Sequence, residues 1–114
     1  MINNPLHNEM DKITKEKLDK YFSLTEKALK EIKIRDKPRE SKIPEDLENP
    51  KDFQSRAEKL VDMSKRYFSD AKHFMQKGDF VNAFAAVNYA HCFLDAAALL
   101  GFIENKDNKL FMAE

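Results

Sequence analysis

Apolar residues recur at helical spacing in three separate stretches of the chain. In the first, Leu18, Phe22, Thr25, Leu29 and Ile32 follow one another at intervals of four and three, with Tyr21 and Ala28 beside them, on a background of Lys, Glu and Asp. A stripe of that period is one face of an amphipathic helix. Asn4 can cap it with Pro5 at the first helical position, or it begins nearer Met10. The pattern predicts helix 1 over about residues 8–34. In the second stretch Phe53, Ala57, Leu60, Ser64, Tyr67, Ala71 and Phe74 keep a four-three alternation, widened on one flank by Val61, Phe68 and Met75. Asn49 can cap this helix, Pro50 fits its first position, and Asp52 sits in the positive first turn. Helix 2 is expected over about residues 50–77, with the period of a helix packed at a shallow angle on a neighbour.

The third stretch breaks the pattern. In "KGDFVNAFAAVNYAHCFLDAAALLGF" there is no Lys or Arg after Lys77, and the only acids are Asp79 and Asp95. Gly78 supplies the left-handed residue that ends helix 2, and Asp79 caps helix 3, expected over about residues 79–101. So short a turn makes helices 2 and 3 an antiparallel hairpin. Phe102 follows Gly101 where a Schellman close folds it back over the last turn. Between helices 1 and 2, "RDKPRESKIPEDLENP" is dense in charge and proline and reads as a long linker over residues 35–49, with Ile43 and Leu47 as anchors. Residues 103–114 read as a polar tail apart from Leu110, Phe111 and Met112. The expected fold is all-α: a single domain over residues 1–114, a three-helix bundle built on the hairpin, with helix 1 tethered by the linker.

Composition narrows the function classes. The 114 residues suit one domain, and the 20 basic and 20 acidic residues cancel. A nucleic-acid partner is therefore not expected, because phosphate recognition normally draws on a basic excess. The mixed-sign charge is the solvated face of the helices. One cysteine, Cys92, allows neither an internal disulfide nor a Cys-based zinc site, and its apolar surroundings predict a buried thiol. No basic segment precedes an apolar one near Met1, so a cytoplasmic location is expected. Residues 80–103 are long enough to span a bilayer, but Asn82, Asn88, His91 and Asp95 interrupt them. A central Asp alone costs about 2.5–3.5 kcal/mol on insertion. A core helix, and no membrane association, is the expectation.

Helix 3 is apolar on several sides. Ala83 or Phe84, then Val87, Ala90, Leu94, Ala97 and Gly101, make the face expected toward helix 2. Either helix 1 covers the rest in a closed bundle, or part of it is an interface to a second copy or another protein; Tyr89, Phe93, Ala96 and Leu100 are the candidate interface residues. One polar line remains, Asn88, His91, Cys92 and Asp95, of which His91 and Asp95 are expected opposite Asp62 and Arg66 of helix 2. Asn88, His91 and Asp95 form the candidate polar site, either a satisfied polar contact or a place for a small ligand, a metal or RNA. Asp70 and His73 resemble half of a helical metal site, but His73 and His91 are separated by ~10 Å of rise across the hairpin. No nucleophile and base can be placed together, so no catalytic residue is assigned, and no cofactor or phosphate loop is evident. The sequence thus predicts a non-enzymatic module for protein interaction or oligomerisation, with ligand binding at the polar line as the alternative.

Two resemblances bear on this. The run "AKHFMQKGDFVNAFAAVNYAH" is similar to the inter-helix part of a tetratricopeptide unit, but one copy makes a hairpin and no solenoid. Residues 67–102, "YFSDAKHFMQKGDFVNAFAAVNYAHCFLDAAALLGF", resemble the archaeal family catalogued as domain of unknown function 357. The match lies in Tyr67, Phe68, Asp70 and Ala71, in Lys77, Gly78 and Asp79, in residues 82–91, in residues 94–96, and in Leu100 and Gly101. The resemblance implies a helical fold and an archaeal cytoplasm, and it implies no activity. A looser likeness to the HEPN class of helical domains lacks the Arg that those nucleases carry before the His: Asn88 precedes His91.

Overall fold

A computed structural model describes residues 12–36 and 50–104. In chain order these form α1 (Lys15–Glu31), β1 (Lys33–Ile34), α2 (Pro50–Gln76), α3 (Phe80–Leu99) and β2 (Ile103–Glu104). The fold is an all-α bundle of three helices closed at one end by a two-stranded antiparallel ribbon that pairs Lys33 with Glu104 and Ile34 with Ile103. Helices α2 and α3 form the hairpin, and α1 packs chiefly on α3. No helix among the described residues is long and apolar enough to cross a membrane.

Helix α1 is shorter at both ends than the expected span of about residues 8–34. The Thr14 hydroxyl accepts from the Lys17 amide at 3.1 Å with its own backbone extended, so the helix starts at Lys15 rather than near residue 8. At the other end Ile32 turns extended, with ψ 150°, and Lys33–Ile34 form a strand where continued helix was expected. The Ile32-Lys33-Ile34 alternation has the period of a strand, and both isoleucines pack on the core from that geometry. The chain from residue 103 is likewise not all polar tail. Ile103 is fully buried in β2, and the Arg35 amide donates to the Phe102 carbonyl at 2.8 Å. The linker beyond Asp36, its anchors Ile43 and Leu47, the caps Asn4 and Asn49, and the residues Leu110 to Met112 lie outside the described residues.

The hairpin follows from local chemistry. Gly78 has φ +76°, its amide donates to the Met75 carbonyl at 3.1 Å, and the Asp79 amide donates to the Phe74 carbonyl at 2.9 Å. That pair of bonds is a Schellman close. Asp79 then caps α3 by accepting from the Asn82 amide at 3.2 Å. The same close recurs at the end of α3, with Gly101 at φ +78° and the Phe102 amide donating to the Ala97 carbonyl at 2.9 Å. Phe102 lands on Phe53 at the start of α2, ring centroids 4.9 Å apart.

The core is two apolar clusters. One, near the hairpin turn, gathers Leu18, Phe68, Ala71, Ala83, Ala86, Val87 and Ala90. The other, beside the ribbon, gathers Ala28, Phe53, Ala57, Val61, Leu94, Ala97, Phe102 and Ile103. On α2 the buried line is Phe53, Ala57, Val61, Ser64, Phe68 and Ala71, while Leu60 and Tyr67 are only half-buried. The stripe is rotated toward the flank because that flank meets α1 as well as α3: Phe68 packs on Phe22 at 5.6 Å.

Candidate functional site

Between the two apolar clusters lies a polar waist. Thr25 and Ser64 are the buried polar residues among those described, and each reaches α3. The Ser64 hydroxyl donates to the Ala90 carbonyl at 2.6 Å. Thr25 Oγ1 lies 3.2 Å from His91 Nδ1, and His91 Nε2 lies 3.5 Å from Asp95 Oδ1 one turn along. The His91 and Asp95 side chains are 12% and 21% exposed. His91 therefore faces α1, not Asp62 and Arg66 as the sequence suggests; those two pair with each other at 2.9 Å on the solvent side of α2.

The order hydroxyl, imidazole, carboxylate is that of a nucleophilic relay. Here its hydroxyl end is closed. Thr25 is 1% exposed and sits within a helix, beneath the packed α1–α3 contact, so a substrate carbonyl has no approach to it. What the arrangement does is join α1 to α3 across a sequence separation of 66 residues. Asn88, the third member of the candidate polar site, is not drawn in: its side-chain amide donates to the Phe84 carbonyl of its own helix at 2.8 Å, on an exposed face. Among the described residues no three His, Cys, Asp or Glu side chains stand close enough to share a metal ion.

The candidate interface residues are arranged differently. Phe93 stacks on Tyr67 of α2, centroids 5.6 Å apart and planes 15° from parallel, and Tyr89 meets the same Tyr67 at 5.4 Å. Phe93 and Ala96 are half-buried, whereas Tyr89 and Leu100 are 58% and 55% exposed. Val81 and Leu99, which the sequence did not single out, are 70% and 71% exposed on the same helix. Cys92 is also exposed, contrary to the buried thiol expected from its neighbours. The reason is rotational: α1 covers the side of α3 that bears Phe84 and His91, α2 covers the side of Ala83, Ala90 and Ala97, and Cys92 points away from both.

Thr25 was visible in the sequence as the single hydroxyl in an apolar stripe, but its partner could not be read there, because the linker leaves the register of α1 open. Val81, Cys92 and Leu99 had a signal too: each is close to a whole number of turns from the others, with no charged residue between Val81 and Leu99 except Asp95.

A family model described as protein of unknown function (DUF357) matches residues 20–103. No curated protein and no solved structure matches the chain at a significant level.

Proposed function

We propose that this chain, which belongs to the DUF357 family of unknown function, is a non-enzymatic helical interaction module whose working surface is the outward face of α3. The observation that carries this reading is the exposure of Val81, Tyr89, Leu99 and Leu100, each more than half open to solvent on one helix. Isolated surface apolars are ordinary, but a continuous apolar helix face is the usual mark of a docking surface. Its composition argues for a protein occupant. α3 carries no Lys or Arg, so it lacks the basic flank that lipid headgroups or phosphates attract. The small residues Ala85, Cys92 and Ala96 let another backbone come close.

A photo-crosslinking residue at position 99, compared in living cells with one at Lys59 on the exposed side of α2, tests the reading. Protein adducts specific to position 99 support it. Equal patterns at the two positions, or none at either, refute it. The polar line carries no second proposal, since Asn88 is engaged with its own helix and His91 with Thr25.

A further inference from the structure

Resting on that reading, we infer that the occupant of the outward α3 face is a second copy of this chain, paired antiparallel about a two-fold axis near the middle of the helix. The warrant is a symmetry in the face itself. Its residues Val81, Ala85, Tyr89, Cys92, Ala96 and Leu100 are spaced four, four, three, four and four, which reads the same in both directions, and Leu99, on the line of Val81, takes Asn82 as its counterpart. On a helix these positions fall within an arc of about 100°. Laid antiparallel on itself, the face sets Val81 against Leu100, Ala85 against Ala96, and Tyr89 against Cys92. The bulky Tyr89 meets a small side chain, the two alanine pairs allow close approach, and the large aliphatic residues close the ends. A two-fold interface requires such self-complementarity, because each residue must suit its symmetry mate on an identical surface.

Charge agrees with this pairing. A helix face meeting its own copy brings like charges together wherever it has any, and this face has none; Asp95 lies to one side of it, beside His91. The whole chain is formally neutral, so long-range repulsion between copies is absent. The face is also continuous with the Tyr67–Phe93 stack, so Tyr89 is braced from behind by α2. A strip one helix wide, ~30 Å long, belongs to the small end of stable interfaces. A dissociation constant in the micromolar range is expected.

The test is sedimentation equilibrium of the full chain up to ~1 mM, with variants that read the register. Position 85 is exposed, and in a two-fold dimer Ala85→Glu places two carboxylates in the contact. It is expected to weaken association at least ~100-fold without changing the monomer's helical circular dichroism. Ala96→Lys alone should weaken it similarly. In the double variant the introduced carboxylate of one copy meets the introduced ammonium of the other, twice over, and the dimer should return. Within one chain these positions are ~16 Å apart along the axis, so no internal pair can mimic the rescue. A short bis-maleimide should also join Cys92 to the Cys92 of the other copy.

A dimer that Ala85→Glu leaves intact, or one that the double variant does not restore, overturns the proposal. A strict monomer overturns it as well, and the reactivity of Cys92 then separates the two readings. If a maleimide and an apolar dye reach the face, it remains a docking surface for another protein. If neither does, the face is covered by the chain itself, and the proposed function fails too.

Discussion

Thr25 Oγ1 lies 3.2 Å from His91 Nδ1, and this contact fixes how α1 registers on α3. The flanking apolar contacts, Tyr21 on Phe84 at 5.4 Å and Phe22 on Phe68 at 5.6 Å, tolerate sliding more readily than a directional bond does. Thr25→Val keeps the shape and removes the hydroxyl. It is expected to destabilise the fold by about 1 kcal/mol. A double-mutant cycle with His91→Ala, followed by urea unfolding, should return a coupling energy of about 0.5–1.5 kcal/mol. A coupling near zero would mean that the two side chains are neighbours without a bond.

Ser64 makes a different kind of demand. It is fully buried where α2 crosses α3, and its hydroxyl donates to the Ala90 carbonyl at 2.6 Å. Ser64→Ala loses that bond but creates almost no void, so about 1 kcal/mol of destabilisation is expected. Ser64→Leu must push the helices apart and should cost clearly more, about 1–3 kcal/mol from overpacking alone. The order of the two unfolding midpoints in urea checks this; a Leu variant as stable as the Ala variant would show that the crossing is loosely packed.

What was legible in the sequence was what local physics determines. Gly78 and Asp79 announce their turn because only a glycine accepts that backbone easily and only a short acceptor caps the next helix. The three apolar periods announce three helices for the same reason. The ribbon was not legible. Lys33–Ile34 and Ile103–Glu104 are too short to show a strand pattern, and they pair only because the helices bring them together. The rotation of α2 that favours Phe68 over Tyr67, and the exposure of Cys92, depend on which side of the hairpin α1 occupies. The stripe of α1 is compatible with either side, so that choice is made by side-chain complementarity across the bundle.

Gly78 permits a clean separation of backbone strain from crowding. Its φ is +76°, yet a β-carbon there would meet nothing within 4 Å. Gly78→Ala should therefore cost only the left-handed penalty, about 1–2 kcal/mol. Gly78→Asn should cost less, since asparagine tolerates that region better. A D-alanine introduced by ligation fits the conformation and should stabilise the fold relative to glycine, by restricting the unfolded chain. Thermal melts of the three variants give the test, and an L-alanine variant at least as stable as D-alanine would place the strain elsewhere.

The ribbon offers the sharpest contrast between two adjacent residues. Ile103 is fully buried among Phe53, Phe102 and Ala28, whereas Glu104 is exposed and pairs with the Arg35 guanidinium at 2.9 Å. The ion pair is the more conspicuous feature, but its side chains are 23% and 46% exposed, so water screens it. Glu104→Gln should change stability by less than about 1 kcal/mol, and less still in high salt. Ile103→Ala leaves a void in the ribbon-side cluster and should cost about 2–5 kcal/mol. It should also loosen the register with Ile34, seen as faster amide exchange at Arg35, whose N–H is bonded across the ribbon to Phe102. If Glu104→Gln proves the more damaging of the two, the ribbon is held by charge and the buried isoleucine is incidental to it.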